Sequence, residues 1–332
     1  MKKQAFNWML KALLAGLAAF ALLCLLSAFY YNIPVHYLNP DGATEYKYEP
    51  GPFYRGTEGF GIGRVNNDGF NNLFDYTPGM PIDILLMGSS HSEGFCVPQQ
   101  NSAGAVLSSL FEGEKTVYNI GMAAHTFLYC AKRLDRALTV YAPREYAVLE
   151  LATLRYDPAA MDAAADGTLP DLPSHSGGIL AMLQKLPFLR LMYTKYFKGT
   201  NEAVAAAAGT AEPVSDRDYE AALTRLLQKL GAVSRAHGVK LILAYTPTVT
   251  PDAEGKPVTD AGPGERELFA RLAEENGLLF LDLTARNSAA MTEEGTLLFG
   301  FPNTAPGQGH INSAGLRLYA EGIRDLIRAE EG

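Results

Sequence analysis

The chain has 332 residues, 48% of them hydrophobic, and a formal charge of −8 at pH 7. That is ample apolar material for a sizeable core, and the acidic balance without a basic stripe excludes a nucleic-acid partner. The length admits one large α/β domain with decorations, or two modest domains.

Residues 12–31 form an uncharged, overwhelmingly apolar run of the length that spans a bilayer. Trp8 lies on one side and Tyr30 and Tyr31 on the other, suited to the two interfaces. Lys2, Lys3 and Lys11 precede most of the run, which places the N-terminus inside and the body outside the cytoplasm. These three lysines, with no acid in residues 1–34, leave the rest of the chain at −11. A cleaved signal peptide is the rival reading, but Leu26-Ser27-Ala28 is a poor cleavage site and the run is longer than a signal core. Residues 1–31 are therefore expected to be a retained anchor and the protein a single-pass membrane protein.

Residues 32–81, rich in Pro, Gly, Asn and Tyr, read as an irregular extension with short strands. Asn67-Asp68-Gly69 is a turn signal. Gly59-x-Gly61-x-Gly63 has no strand before it and no helix after it, so a dinucleotide loop is rejected.

From residue 82 the pattern alternates. Ile82-Asp83-Ile84-Leu85-Leu86-Met87 suits a buried strand and stops at Gly88-Ser89-Ser90. Helices are expected near 102–111, 126–141, 218–237, 264–276 and 312–330, the last capped by Asn312 or Ser313. Strands are expected at 116–120, 146–151, 240–245 and 278–283. Strands separated by helix-length patterns imply parallel βαβ units. The expected fold is α/β, a doubly wound three-layer sandwich with about five parallel strands, in one domain over 82–332. Residues 158–215, rich in Ala, Gly and Pro, form an insertion that could serve as a lid. Within it, the aromatic and basic segment 187–198 reads as an amphipathic helix lying on the membrane, over the pocket, or on neither.

Chemistry in such a sheet sits beyond the carboxyl ends of the strands. Three ends present small or polar groups there: Ser90, Gly121 and Thr153. Gly309-His310-Ile311-Asn312 precedes the final helix. Nucleophilic acyl chemistry needs a serine, a base to take its proton, and donors for the oxyanion. Ser90 and His310 supply the first two, and the amides of Ser90 and Gly121 the third. The plainer alternative is an ordinary strand-to-helix loop with Ser92 as a cap. Glu150, within an apolar strand, needs a partner: a structural ion pair, or His310. His91, His125 and Glu150 lack the spacing of a zinc site, so neither metal nor cofactor is expected. His91 is read as a substrate contact or a shield for the Ser90 loop. Cys96 and Cys130 could pair, be free core thiols, or in Cys96's case line the site.

Gly88-Ser89-Ser90-His91-Ser92-Glu93-Gly94 resembles the nucleophile block of the SGNH (GDSL-like) hydrolases, usually Gly-Asp-Ser-x-x-x-Gly. Asn119-Ile120-Gly121 is similar to the second block, whose glycine amide helps hold the oxyanion. Asn67-Asp68-Gly69-Phe70 resembles a lead-in often found in envelope members, and His310-Ile311-Asn312-Ser313-Ala314-Gly315 resembles the block that carries the base. The four blocks fall in the expected order over roughly residues 65–330. Three positions depart from the pattern. Ser89 replaces the usual aspartate, Leu151-Ala152-Thr153-Leu154 lacks the oxyanion Asn, with Thr153 as a substitute, and Gly307 stands where the acid partner of the histidine belongs. The resemblance implies a membrane-anchored serine esterase or O-acyltransferase acting outside the cytoplasm on an acylated envelope glycan or small ester, through Ser90 and His310. The departures imply the alternatives: a degenerate module that binds a glycan or protein, or a scaffold working through the insertion.

Overall fold

A computed structural model describes residues 2–172, 185–196 and 216–332, apart from positions 253, 255 and 306. Helix α1, Lys2–Tyr30, contains an apolar 18-residue stretch with a mean hydropathy of 2.5 and is long and apolar enough to cross a membrane. Five short strands follow: β1 Tyr31–Asn32, β2 His36–Leu38, β3 Tyr46–Tyr48, β4 Gly51–Arg55 and β5 Gly61–Val65. They pair antiparallel as a β1–β4–β5 sheet and a β2–β3 ribbon. Tyr46, Tyr48, Phe53, Val65 and Phe70 of this segment are buried in the same core as one face of the main sheet. The aromatic residues give the segment enough apolar surface to pack as part of the body.

The main sheet holds β6 Ile84–Met87, β7 Val117–Asn119, β8 Tyr146–Leu151, β9 Lys240–Tyr245 and, after a two-stranded hairpin (β10 Thr250–Pro251 and β11 Pro257–Val258), β12 Leu279–Asp282. All its pairings are parallel and the order is β12–β9–β8–β6–β7. In chain order this is 2-1-3-4-5, the flavodoxin-like doubly wound arrangement, and the expected fold class is the observed one. Strand alternation divides the side chains between two layers. Leu85, Met87, Leu149, Leu241 and Leu243 face one core, while Ile84, Leu86, Val148, Ile242 and Ala244 face the other.

Helices α4 Phe127–Tyr141, α7 Asp216–His237 and α8 Pro263–Glu275 cover the first face. Helices α3 Ala103–Leu110 and α10 Ser313–Glu331 cover the second. Their buried positions, such as Leu316, Tyr319, Ala320, Ile323 and Ile327, recur at helical spacing. Asn312 caps α10, its Oδ1 accepting from the amides of Ala314 and Gly315. Helix α9, Thr284–Thr292, was not expected, because its short polar stretch lacks an apolar period.

Within the insertion, α5 Pro158–Ala165 is capped by Asp157, and α6 Pro187–Tyr196 lies along α1, with Phe188 edge-on to Phe20 at 6.1 Å. The expected lid over 158–215 falls largely on positions 173–184 and 197–215, outside the described residues.

Candidate active site

Strand β6 ends at Met87, and the chain turns through Gly88 and Ser89 into α2, Ser90–Glu93. This turn lies at the point where the strand order reverses, between the carboxyl ends of β6 and β8, where an open α/β sheet leaves a crevice. Glu150 of β8 spans that crevice. Its buried carboxylate accepts from the Ser89 amide at 3.1 Å, the Ser89 hydroxyl at 2.6 Å, the Ser92 amide at 2.9 Å and the Ser92 hydroxyl. The four donors explain how an acid is accommodated in an otherwise apolar strand. Gly88 packs directly against Glu150 and Ser92, leaving no room for a β-carbon. Ser89 caps α2, and Ser92, the cap in the plainer alternative, serves Glu150 instead. The Ser90 hydroxyl and amide make no hydrogen bond among the described residues, and the residue is half-buried.

His310 approaches the same rim from the loop before α10. Its ring lies 5.7 Å, centroid to centroid, from that of His91, the residue after Ser90. The serine turn and the imidazole loop thus share one edge of the sheet.

The acid that holds His310 comes from the N-terminal extension. Glu58 Oε2 is 2.7 Å from His310 Nδ1, and Glu58 Oε1 accepts from the His310 amide at 2.8 Å. Arg55 donates to Glu58 Oε2 at 3.1 Å. Burial works against the Glu58 charge, but the two His310 hydrogen bonds and the neighbouring cations bring the carboxyl down to about 2. Burial likewise disfavours a charged His310, yet Cys96 and Glu58 raise the imidazole to about 9. With Nδ1 held by Glu58, Nε2 is the nitrogen left for proton exchange.

Glu58 stands in the turn between β4 and β5, and its neighbour Gly59 (φ +71°) is packed onto the Cys96 carbonyl and the Phe301 ring. Gly61 lies as closely over Phe95. The Gly-x-Gly-x-Gly spacing is therefore a contact surface that seats the Glu58 turn against residues 95–97. No local signal in the sequence announces this pairing, because Glu58 and His310 are 252 positions apart.

Of the remaining expected site residues, His91 lies on the same rim. His91 Nδ1 is 3.6 Å from Glu150 Oε1, and its ring also meets Phe299 at 5.9 Å. Burial lowers its pKa, which the Glu150 charge opposes and the His310 charge reinforces. Gly121 is buried against Ser92, and its amide donates to Asn119 Oδ1 at 2.9 Å, while the Asn119 amide group donates to the Ser92 carbonyl. The amide expected to hold an oxyanion is therefore engaged within its own block. Thr153, in the turn after β8, accepts from the Arg155 amide at 3.1 Å. Glu150 orients the serine turn and not His310. His125 is buried away from this rim, roughly parallel to Tyr46, with its pKa pushed down to about 3 by burial. Cys96 and Cys130 are free thiols, and Cys96 lies beside His310 and Glu58.

No family model and no curated protein matches the chain. Solved structures similar to it include YxiM from Bacillus subtilis, at 16% identity and a TM-score of 0.44, over 77% of this chain and 59% of that one. A candidate SGNH hydrolase from Slackia heliotrinireducens matches at 15% identity and a TM-score of 0.39, over 74% and 98%. The esterase EstA from Pseudoalteromonas matches at 15% and 0.38, over 74% and 96%. Solved structures described as SGNH or GDSL-like hydrolases and esterases are among those to which this chain is similar.

Proposed function

We propose that the protein is a serine ester hydrolase or O-acyltransferase of SGNH type, anchored by α1 with its body outside the cytoplasm. One observation carries the reading: an imidazole held by a carboxylate, Glu58 Oε2 to His310 Nδ1 at 2.7 Å, on the rim where the Ser90 turn emerges. Ser90 Oγ attacks an ester carbonyl and passes its proton to His310 Nε2. Glu58 keeps the ring in register and stabilises the imidazolium that forms. The Ser90 amide, free of other partners among the described residues, donates to the oxyanion, with the Thr153 hydroxyl as second donor. His310 then protonates the leaving alcohol, and water or a sugar hydroxyl resolves the acyl-enzyme.

The raised His310 pKa means that the base rests protonated near neutral pH, so the enzyme works best in alkaline solution. Acyl esters of envelope glycans fit a catalytic body tethered at the outer membrane face. A fluorophosphonate probe on the full chain in detergent tests the chemistry. Labelling of the wild type that disappears in Ser90→Ala is expected. Absence of labelling where a known serine esterase reacts, or labelling that survives Ser90→Ala, overturns it.

The engaged Gly121 amide favours the second reading, a module of this fold that binds an acylated glycan or a protein without turnover. It predicts glycan or partner binding unaffected by Ser90→Ala.

A further inference from the structure

Cys96 makes or breaks no bond in the ester chemistry, yet it lies against the His310–Glu58 pair that does. The Cys96 thiol, a His310 ring nitrogen and a Glu58 carboxylate oxygen all lie within 4.8 Å of one another. They come from three separate segments: the Gly94–Pro98 turn, the loop before α10, and the turn between β4 and β5. Cys96 is 3% exposed and unpaired, whereas His310 and Glu58 keep 26% and 18% of their side chains accessible. A soft sulfur, an imidazole and a carboxylate drawn this close together are the donor set of a zinc-type ion. Tetrahedral zinc holds its ligand atoms about 3.3–3.8 Å apart, so an ångström or so of side-chain movement closes the site.

We propose that Glu58, Cys96 and His310 form a binding site for a thiophilic divalent cation, Zn2+ in type, whose occupancy takes the base out of service. The inhibitory part rests on His310 acting as the base. On binding, the S–H bond of Cys96 and an N–H bond of His310 break, both protons going to solvent, and metal–sulfur and metal–nitrogen bonds form in their place. The metal stands where the proton bridging His310 and Glu58 had been. His310 can then neither accept the serine proton nor return it, and a fourth coordination position stays open to water. Arg55, which donates to Glu58 Oε2, is the one cationic partner of that carboxylate besides His310 among the described residues, and the metal must tolerate it. The thiolate and imidazole therefore carry most of the affinity, and occupancy is reversible by chelators.

Cobalt(II) is the probe, titrated into the full chain in detergent. A thiolate-to-cobalt charge-transfer band is expected, with visible bands of tetrahedral intensity, at one ion per chain, and stoichiometric Zn2+ should bleach it. Cys96→Ser should abolish the charge-transfer band while leaving Cys24 and Cys130 in place. Glu58→Gln should keep the band and weaken binding about tenfold. Circular dichroism establishes that each variant is folded, with Cys96→Ala as the second variant at that position. Zn2+ should also suppress fluorophosphonate labelling of the wild type. Labelling of Cys96→Ser, measured against its own metal-free rate, should resist Zn2+. No charge-transfer band in the wild type, or a band that survives Cys96→Ser, overturns the site. A cobalt band in a chain that the fluorophosphonate never labels would uphold the metal site and remove the esterase reading.

Discussion

Glu58 and Glu150 are two carboxylates with different tasks, set by what surrounds them. Glu58 faces an imidazole and an arginine at a partly open rim, while Glu150 is closed in by four serine donors. Glu58→Gln should lower kcat by roughly a hundredfold or more with little change in KM, because the ring loses its orientation and the charge that stabilises its cation. The pH profile should respond as well. Activity of the wild type should rise through an apparent pKa near 9, and that limb should move to lower pH in Glu58→Gln. The same shift enters stability with a definite sign. His310 is charged up to about 9 in the folded chain and up to its ordinary value of 6.5 when unfolded. Its stabilising contribution is therefore complete below about 6.5 and fades as the pH climbs through 9. An alkaline limb in the wild type that Glu58→Gln leaves unmoved would argue against the pair. Glu150→Ala removes one acceptor from four donors in a buried crevice, at a cost of about 1–3 kcal/mol. A lowered melting temperature and loss of probe labelling together are expected, since the Ser90 turn loses its anchor.

At the scale of elements, the site is an agreement between two turns, the end of a strand and the loop that carries His310. The β6 turn carries Ser90, the β8 end carries Glu150, and the small antiparallel sheet carries Glu58 on the turn between β4 and β5. That last turn is seated by tight contact: a β-carbon on Gly59 would run into the Cys96 carbonyl, and the residue's φ of +71° disfavours any other side chain. Gly59→Ala should therefore displace Glu58 and reproduce the pH and kcat effects of Glu58→Gln without touching a titratable group. A variant of Gly59→Ala with wild-type pH dependence would show that the turn does not position the acid. The position of α6 also belongs here. Its Phe188 meets Phe20 midway along α1, so this helix of the insertion packs on the apolar N-terminal helix and not over the Ser90 rim.

For the whole molecule, the acidic body and the lysine-tipped apolar helix make orientation testable. An alkaline phosphatase fused after Gly332 should be active in a bacterial host, and the protein should resist alkaline carbonate extraction from membranes. An inactive fusion on a stably expressed chain would reverse the orientation. The N-terminal extension contributes Tyr46, Tyr48, Phe53, Val65 and Phe70 to the core beneath the sheet, and Glu58 to its rim. It is therefore bound to both the stability and the chemistry of the body.

Much of this was legible before any fold was known, where the signals are local. The strands at 146–151 and 240–245, the long helices and the Asn312 cap all follow from periodicity and capping chemistry that act over a few residues. The Ser90 turn at a strand end is legible in the same way, since a parallel sheet brings the ends of its strands to one edge. Tertiary structure alone decided which acid serves the histidine, which carboxylate serves the serine turn, and that the Gly121 amide is already engaged. Those outcomes depend on groups separated by tens to hundreds of positions, and charge and hydrogen bonding reach only a few ångströms. A lone Glu58 in a glycine-rich turn carries no period and no cap that could announce its partner. Only the closing of the small sheet over residues 95–97 brings the carboxylate to the imidazole.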